Sequence, residues 1–288
     1  MNKSSMIVWY PTLDCNLLCS YCISRTLPHI THGKVRTAKE WSRVWNSCPW
    51  EEVDINICGG EPSMFPDLQH SLPEKKFSSI HLNSNLIKDP KGWWNYGLCA
   101  VKTLCIGWHL SLDHLLARNV WNNINWVLDN RLSIKDPSTK ITMCHIIEPQ
   151  RTTLSEKQEI EARCNVLGIR YWPLDYDDVW QWRDWIPIRR GRALSCSGGY
   201  NMISIVPDGS AYRCLCKPYA GRKPFMNVVD DGWGKVLSRP EPCDDLICSN
   251  YPLCDKVETI YENGKIPDLM VKKPGKQYDY LNNYIPEP

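Results

Sequence analysis

Short apolar runs alternate with amphipathic stretches along the first 175 residues, and the runs are too short and too β-branched for helices. Met6 to Tyr10, "VDINIC" (53 to 58), "SSIHLN" (78 to 83), "TLCIGWHLSLD" (103 to 113), "KITMCHII" (140 to 147) and "IRYWPL" (169 to 174) read as six strands. Between them, Thr37-Ala-Lys-Glu40 has the form of a capping box opening a helix to about Cys48. Asp113 to Asp129 reads as a second helix, and Thr153-Leu-Ser-Glu156 opens a third that Gly168 would stop. Strands separated by crossovers predict a parallel α/β sheet. The polar and glycine-rich stretches follow the strands' C-terminal ends, the edge at which parallel sheets bind ligands.

Residues 175 to 195 break this rhythm and read as a connection, rich in tryptophan and acidic residues from 171 to 185. Those aromatics suit a seal at a domain junction, or a lining where substrate lies. Beyond them, "YNMISIVPDGSAYRC" (200 to 214) predicts a hairpin turning at Asp208-Gly209, and the tail from about 255 is rich in Pro, Lys, Tyr and Asn. The expected partition is 1–175, a connection over 176–195, and a cysteine-rich unit over 196–288.

A chain of 288 residues can bury one large core and a small one. A formal net charge of +2, with 23% charged residues, demands neither nucleic acid nor an anionic membrane as partner. No apolar window approaches a spanning helix, and the N-terminal apolar run is too short for a signal peptide, so the expected location is cytoplasmic. Fifteen cysteines in a reducing compartment then point to metal or redox chemistry. Six of them, at 48, 58, 99, 105, 144 and 164, are scattered and read as core residues. The others form two groups, at 15 to 22 and 196 to 254.

The first group is "PTLDCNLLCSYC", with Cys15, Cys19 and Cys22 directly after the first strand. Three thiolates leave one corner of a four-iron cubane open to chelation by a small molecule. Zinc is the alternative, although structural zinc sites take four ligands, and the nearest further donors are His29 and His32. One βα unit later comes "CGGEP" (58 to 62). Together the two motifs resemble the radical S-adenosylmethionine (radical SAM) superfamily. In that family the open iron binds the amino and carboxylate groups of S-adenosylmethionine, whose reductive cleavage yields a 5′-deoxyadenosyl radical that abstracts hydrogen from substrate. The resemblance implies a partial (βα)6 TIM-like barrel with a small C-terminal α+β cysteine-rich domain. It places Gly59, Gly60, Glu61 and Pro62 at the methionyl ammonium and Tyr21 beside the adenine. Asn83 and Ser84 of "NSN", Ser111 of "SLD" and, at an unusual spacing, Arg118 are the looser matches.

In the second group, Cys196, Gly209 and Cys214 resemble the opening of the SPASM and twitch extensions of that superfamily, which hold auxiliary iron-sulfur clusters. The implied auxiliary four-iron ligands are Cys196, Cys214, Cys248 and Cys254, with Cys243 or Cys216 as substitutes. An external donor such as flavodoxin or ferredoxin would supply electrons. The first strand begins at residue 6, which leaves no room before it for a peptide-recognition domain, so a small molecule stands beside a peptide as expected substrate. The competing classes are a non-catalytic cysteine-rich zinc module and a full SPASM peptide-maturation enzyme.

Overall fold

The structure, a computed structural model, describes residues 5–19, 22, 34–73, 77–93, 101–109, 112–130, 140–148, 151–175, 193–196, 198–214, 223–243 and 259–261. The six predicted strands are present as β1 (Ser5–Trp9), β2 (Val53–Ile57), β3 (Ser79–Ser84), β4 (Val101–Trp108), β5 (Lys140–Ile147) and β6 (Arg170–Asp175). They lie side by side in chain order, each parallel to the next. β4 ends at Trp108, short of the predicted 113, and the chain turns there with the Leu112 N–H donating to the His109 carbonyl at 3.0 Å.

Among the described residues three longer helices follow strands β1, β4 and β5, namely α1 (Ala38–Asn46), α2 (His114–Asn130) and α3 (Leu154–Val166), and a single helical turn, Leu68–Ser71, follows β2. Both predicted N-caps form, the first as a full capping box and the second through its Thr153 hydroxyl alone. The Thr37 hydroxyl accepts from the Glu40 N–H while the Glu40 carboxylate accepts from the Thr37 N–H, and Thr153 accepts from the Glu156 N–H. Thr37→Ala should therefore cost about 1 kcal/mol, read as a lowered midpoint in urea with an unchanged slope.

The helices' apolar residues, among them Trp41, Trp45, Val120, Ile124 and Ile160, share one core with Ile7, Ile55, Leu82, Ile106 and Met143 of the strands. All three helices therefore cover the same face of the sheet. A doubly wound sheet has helices on both faces and a reversal of strand order. Chain-order strands with helices on one face are the arrangement of a barrel wall. Among the described residues β6 remains an edge strand, so the barrel is partial.

The opposite face carries the alternate residues. Asn83 donates from Nδ2 to Asn56 Oδ1 at 2.7 Å, His81 Nδ1 meets the Thr103 hydroxyl at 2.6 Å, and Ser79 bonds Asp54. Cys105 and Cys144 meet on this face as well. The interior of the partial barrel is thus lined by hydrogen-bonding groups across β2 to β5.

The predicted hairpin forms as β8 (Met202–Ile205) and β9 (Ser210–Tyr212), with Gly209 at φ +88° in the turn. β8 also pairs in parallel with β1, Ile7 opposite Ile203, and β10 (Met226–Asn227) extends the same sheet beyond β9. Arg36, just before α1, fastens this extension by donating to the Asp208 carbonyl at 2.8 Å and pairing with Asp230 at 2.5 Å. The boundary expected at residue 196 thus falls just before a strand that completes the central sheet. β7 (Ala193–Cys196) lies apart, between β11 (Glu241–Cys243) and β12 (Thr259–Tyr261) in a small antiparallel sheet.

Candidate active site

The chain leaving β1 is stitched to the chain leaving β2. The Gly60 N–H donates to the Thr12 carbonyl at 3.0 Å, and the Glu61 N–H donates to the Asp14 carbonyl at 2.7 Å. The cysteine loop and the "GGEP" turn are therefore one structural unit. Glycine is required at both positions. A Cβ at residue 60 would stand 2.1 Å from the Asp14 oxygen and 2.4 Å from the Leu13 oxygen. One at residue 59 would stand 2.4 Å from the Thr12 oxygen, on a backbone at φ +128° that side chains rarely adopt. The close approach that these glycines permit is that of the chain's own cysteine loop.

The three thiols gather at the C-terminal edge of the sheet. Cys19 is buried, Cys15 and Cys22 are half-buried, and all three pack in one small apolar cluster around Leu17 and Ile146. The Leu17 N–H donates to Cys15 Sγ at 3.4 Å. Burial pushes the Cys15 thiol up, opposed by that N–H and reinforced by the nearby Glu61, Cys19 and Cys22. Several groups that become anions on ionising thus share one apolar setting, and a cationic centre among them reverses the sign of the interaction. Among the described residues no three His, Cys, Asp or Glu side chains converge on a point suited to a single metal ion. A polynuclear cluster needs no such convergence, because each thiolate ligates its own iron. The donor set, three thiols without a fourth, fits that group.

Glu61 is 1% exposed. Its Oε1 accepts from the Ser63 N–H at 3.1 Å and the Ser84 hydroxyl at 2.7 Å, and its Oε2 accepts from the Asn85 N–H at 2.7 Å. Burial nevertheless raises the carboxyl above its ordinary range, outweighing these donors. No cation among the described residues pairs with it, and a carboxylate with three donors keeps room for one more. Pro62 occupies the first position of the short 3₁₀ turn Pro62–Met64, where its missing N–H costs nothing.

Ser84 is thus part of the Glu61 bracket, and Asn83 braces β3 to β2 through Asn56. Asn85, the last residue of "NSN", is the one the sequence reading passed over. Its Nδ2 donates to Asn16 Oδ1 at 2.7 Å and lies 3.9 Å from Cys15 Sγ, while its N–H holds Glu61. It joins the third strand's end to both motifs, and the polar triplet was the available signal. Arg118 sits on the exposed side of α2, and no described contact ties it to the other site residues. Tyr21 and Ser111 lie outside the described residues.

In the second group, Cys196 is buried at the end of β7, and its Sγ accepts from the Gly198 N–H at 3.4 Å. Arg213, next to Cys214, donates to the carbonyls of Gly198, Glu241 and Pro242 at 2.9, 3.2 and 3.1 Å. This clamp brings the backbone flanking Cys196, Cys214 and Cys243 into one region. Cys216, Cys248 and Cys254 lie outside the described residues.

No protein-family profile matches the chain, and no curated protein matches it. Solved structures do. Streptococcus suis SuiB bound to the precursor peptide SuiA matches at 14% identity and a TM-score of 0.48, over 82% of this chain and 66% of SuiB. SuiB bound to S-adenosylmethionine matches at 14% and 0.48, over 79% and 64%. Native anSMEcpe with AdoMet and the Cp18Cys peptide matches at 14% and 0.49, over 80% and 79%. The chain spans about two thirds of the length of SuiB. No described helix is long and apolar enough to cross a membrane.

Proposed function

We propose that this chain is a radical SAM enzyme. The observation that carries the reading is the joining of the cysteine loop to the Gly59-Gly60-Glu61 turn. It sets three thiols and a buried carboxylate lacking a described cation at the ligand-binding edge of a partial barrel. Cys15, Cys19 and Cys22 would hold a four-iron cluster. When bound, that cluster supplies the electron that cleaves S-adenosylmethionine to a 5′-deoxyadenosyl radical, which abstracts hydrogen from substrate. Glu61 would take the methionyl ammonium on the carboxylate capacity that Ser63, Ser84 and Asn85 leave unused. Gly59 and Gly60 hold the thiol loop against that carboxylate. The apolar side chains of Leu17, Ile146 and Leu174 pack against the thiols.

The interior face, lined by Asn56, His81, Asn83 and Thr103, suits a polar substrate, a small molecule or a peptide segment. An auxiliary cluster on Cys196, Cys214, Cys248 and Cys254 would accept an electron after hydrogen abstraction, giving a net two-electron oxidation. A flavodoxin or ferredoxin is the proposed donor, and the cytoplasm the proposed location.

The test is anaerobic incubation with reductant and S-adenosylmethionine. Wild-type protein should be brown and form 5′-deoxyadenosine. A Cys15→Ala, Cys19→Ala, Cys22→Ala variant should form none while keeping the auxiliary iron, about four per chain. Undiminished 5′-deoxyadenosine in that variant, or a colourless zinc-bearing wild type, removes the proposal.

A further inference from the structure

Two of the thiols that read as plain core residues are not isolated. Cys105 of β4 and Cys144 of β5 approach to 3.1 Å, sulfur to sulfur, on the barrel's interior face. Strand register explains how they meet. Cys105 stands opposite Thr142 and Cys144 opposite Gly107, so the two cysteines are diagonal neighbours across one parallel pair, leaning toward each other along the strands. Cys105 is half-buried, whereas Cys144 is 7% exposed. No third metal-binding side chain converges on them among the described residues.

We propose that Cys105 and Cys144 form a reversible dithiol–disulfide site inside the barrel wall, oxidised by low-molecular-weight disulfides. Cys105, the more accessible thiol, attacks one sulfur of the incoming disulfide and forms a mixed disulfide, releasing one small thiol. Cys144 then attacks Cys105 Sγ, closing the protein disulfide and releasing the second small thiol. The protein loses two hydrogens and the small disulfide gains two.

The assignment of roles agrees with the electrostatics. The hydrogen bond from Cys144 holds the Cys105 thiol below its ordinary range despite burial, and the same bond raises Cys144. An attacking thiol needs thiolate character. This site is independent of the function proposed above.

The experiment treats the purified, iron-loaded full chain anaerobically with oxidised glutathione, blocks the remaining thiols with iodoacetamide and maps peptides by mass spectrometry. The expected result is a Cys105–Cys144 linked peptide pair that dithiothreitol reopens, appearing before any modification of the buried thiols Cys48 and Cys164. In Cys144→Ala protein, Cys105 should accumulate as the glutathione mixed disulfide, because no second thiol resolves it. An unlinked pair at glutathione levels that modify other cysteines overturns the proposal. So does a Cys105 that is no more glutathionylated in Cys144→Ala protein than in wild type.

Discussion

Gly60→Ala should lower S-adenosylmethionine cleavage by about 100-fold or more, the scale expected when a reacting constellation is misplaced by about an ångström. The added methyl has nowhere to go. It would stand 2.1 Å from the Asp14 oxygen and 2.4 Å from the Leu13 oxygen, and both are backbone atoms of the loop that carries the thiols. Either that loop retreats or the β2 exit does, and each movement breaks the bonds from Gly60 to Thr12 and from Glu61 to Asp14. The change enters through geometry alone, since no charge or ligand is altered. Iron retained after anaerobic reconstitution, together with 5′-deoxyadenosine formed per minute, is the measurement. Full iron and wild-type cleavage would show that the loop tolerates displacement and that the stitching of the two motifs is not what places the thiols.

Glu61→Gln should weaken S-adenosylmethionine binding about ten-fold or more, because a charge-assisted hydrogen bond is worth roughly 1.5–3 kcal/mol. It should also reduce stability. The carboxylate accepts at both oxygens, and an amide turns one of them into a donor that faces either the Asn85 N–H or the pair formed by Ser63 and Ser84. A buried donor left facing a donor costs about 1–3 kcal/mol. The two effects separate by comparison with Ser84→Ala, which removes one bond of the bracket and leaves the charge. That variant should lose stability while binding the cofactor nearly as wild type does. Equal binding by Glu61→Gln and wild type in isothermal titration would reduce Glu61 to a structural bracket.

Much of the barrel wall is legible in the sequence because its signals are local. β-branched runs mark the strands, Thr37 and Thr153 mark the helix starts, and Gly168 and Gly209 sit where the backbone needs positive φ. The three cysteines and "GGEP" are legible for the same reason. What local pattern does not carry is pairing. Nothing in "MISI" distinguishes a strand of a separate unit from one that completes the first sheet beside β1. That choice is made by burial of Ile203 and Ile205 in a core whose other members lie far away in sequence. The Asn85 link to Asn16 and the meeting of Cys105 with Cys144 are hidden likewise, since each depends on register between strands. Arg118, matched on residue type at an unusual spacing, sits exposed on α2.

The pairing of β1 with β8 also has a consequence in time. During synthesis, β1 emerges first and gains β2 on one side early, but its other edge stays open until Ile203 and its neighbours leave the ribosome. Contacts of such sequence separation form slowly, because a long loop must close before they yield any stabilisation. The thiol loop hangs from the end of that half-paired strand, and Tyr10, at its root, donates its N–H to the Ile205 carbonyl. The root of the loop is therefore secured only once the roughly two hundred residues that separate β1 from β8 have been made, so the thiol loop gains its anchor long after its own residues are synthesised.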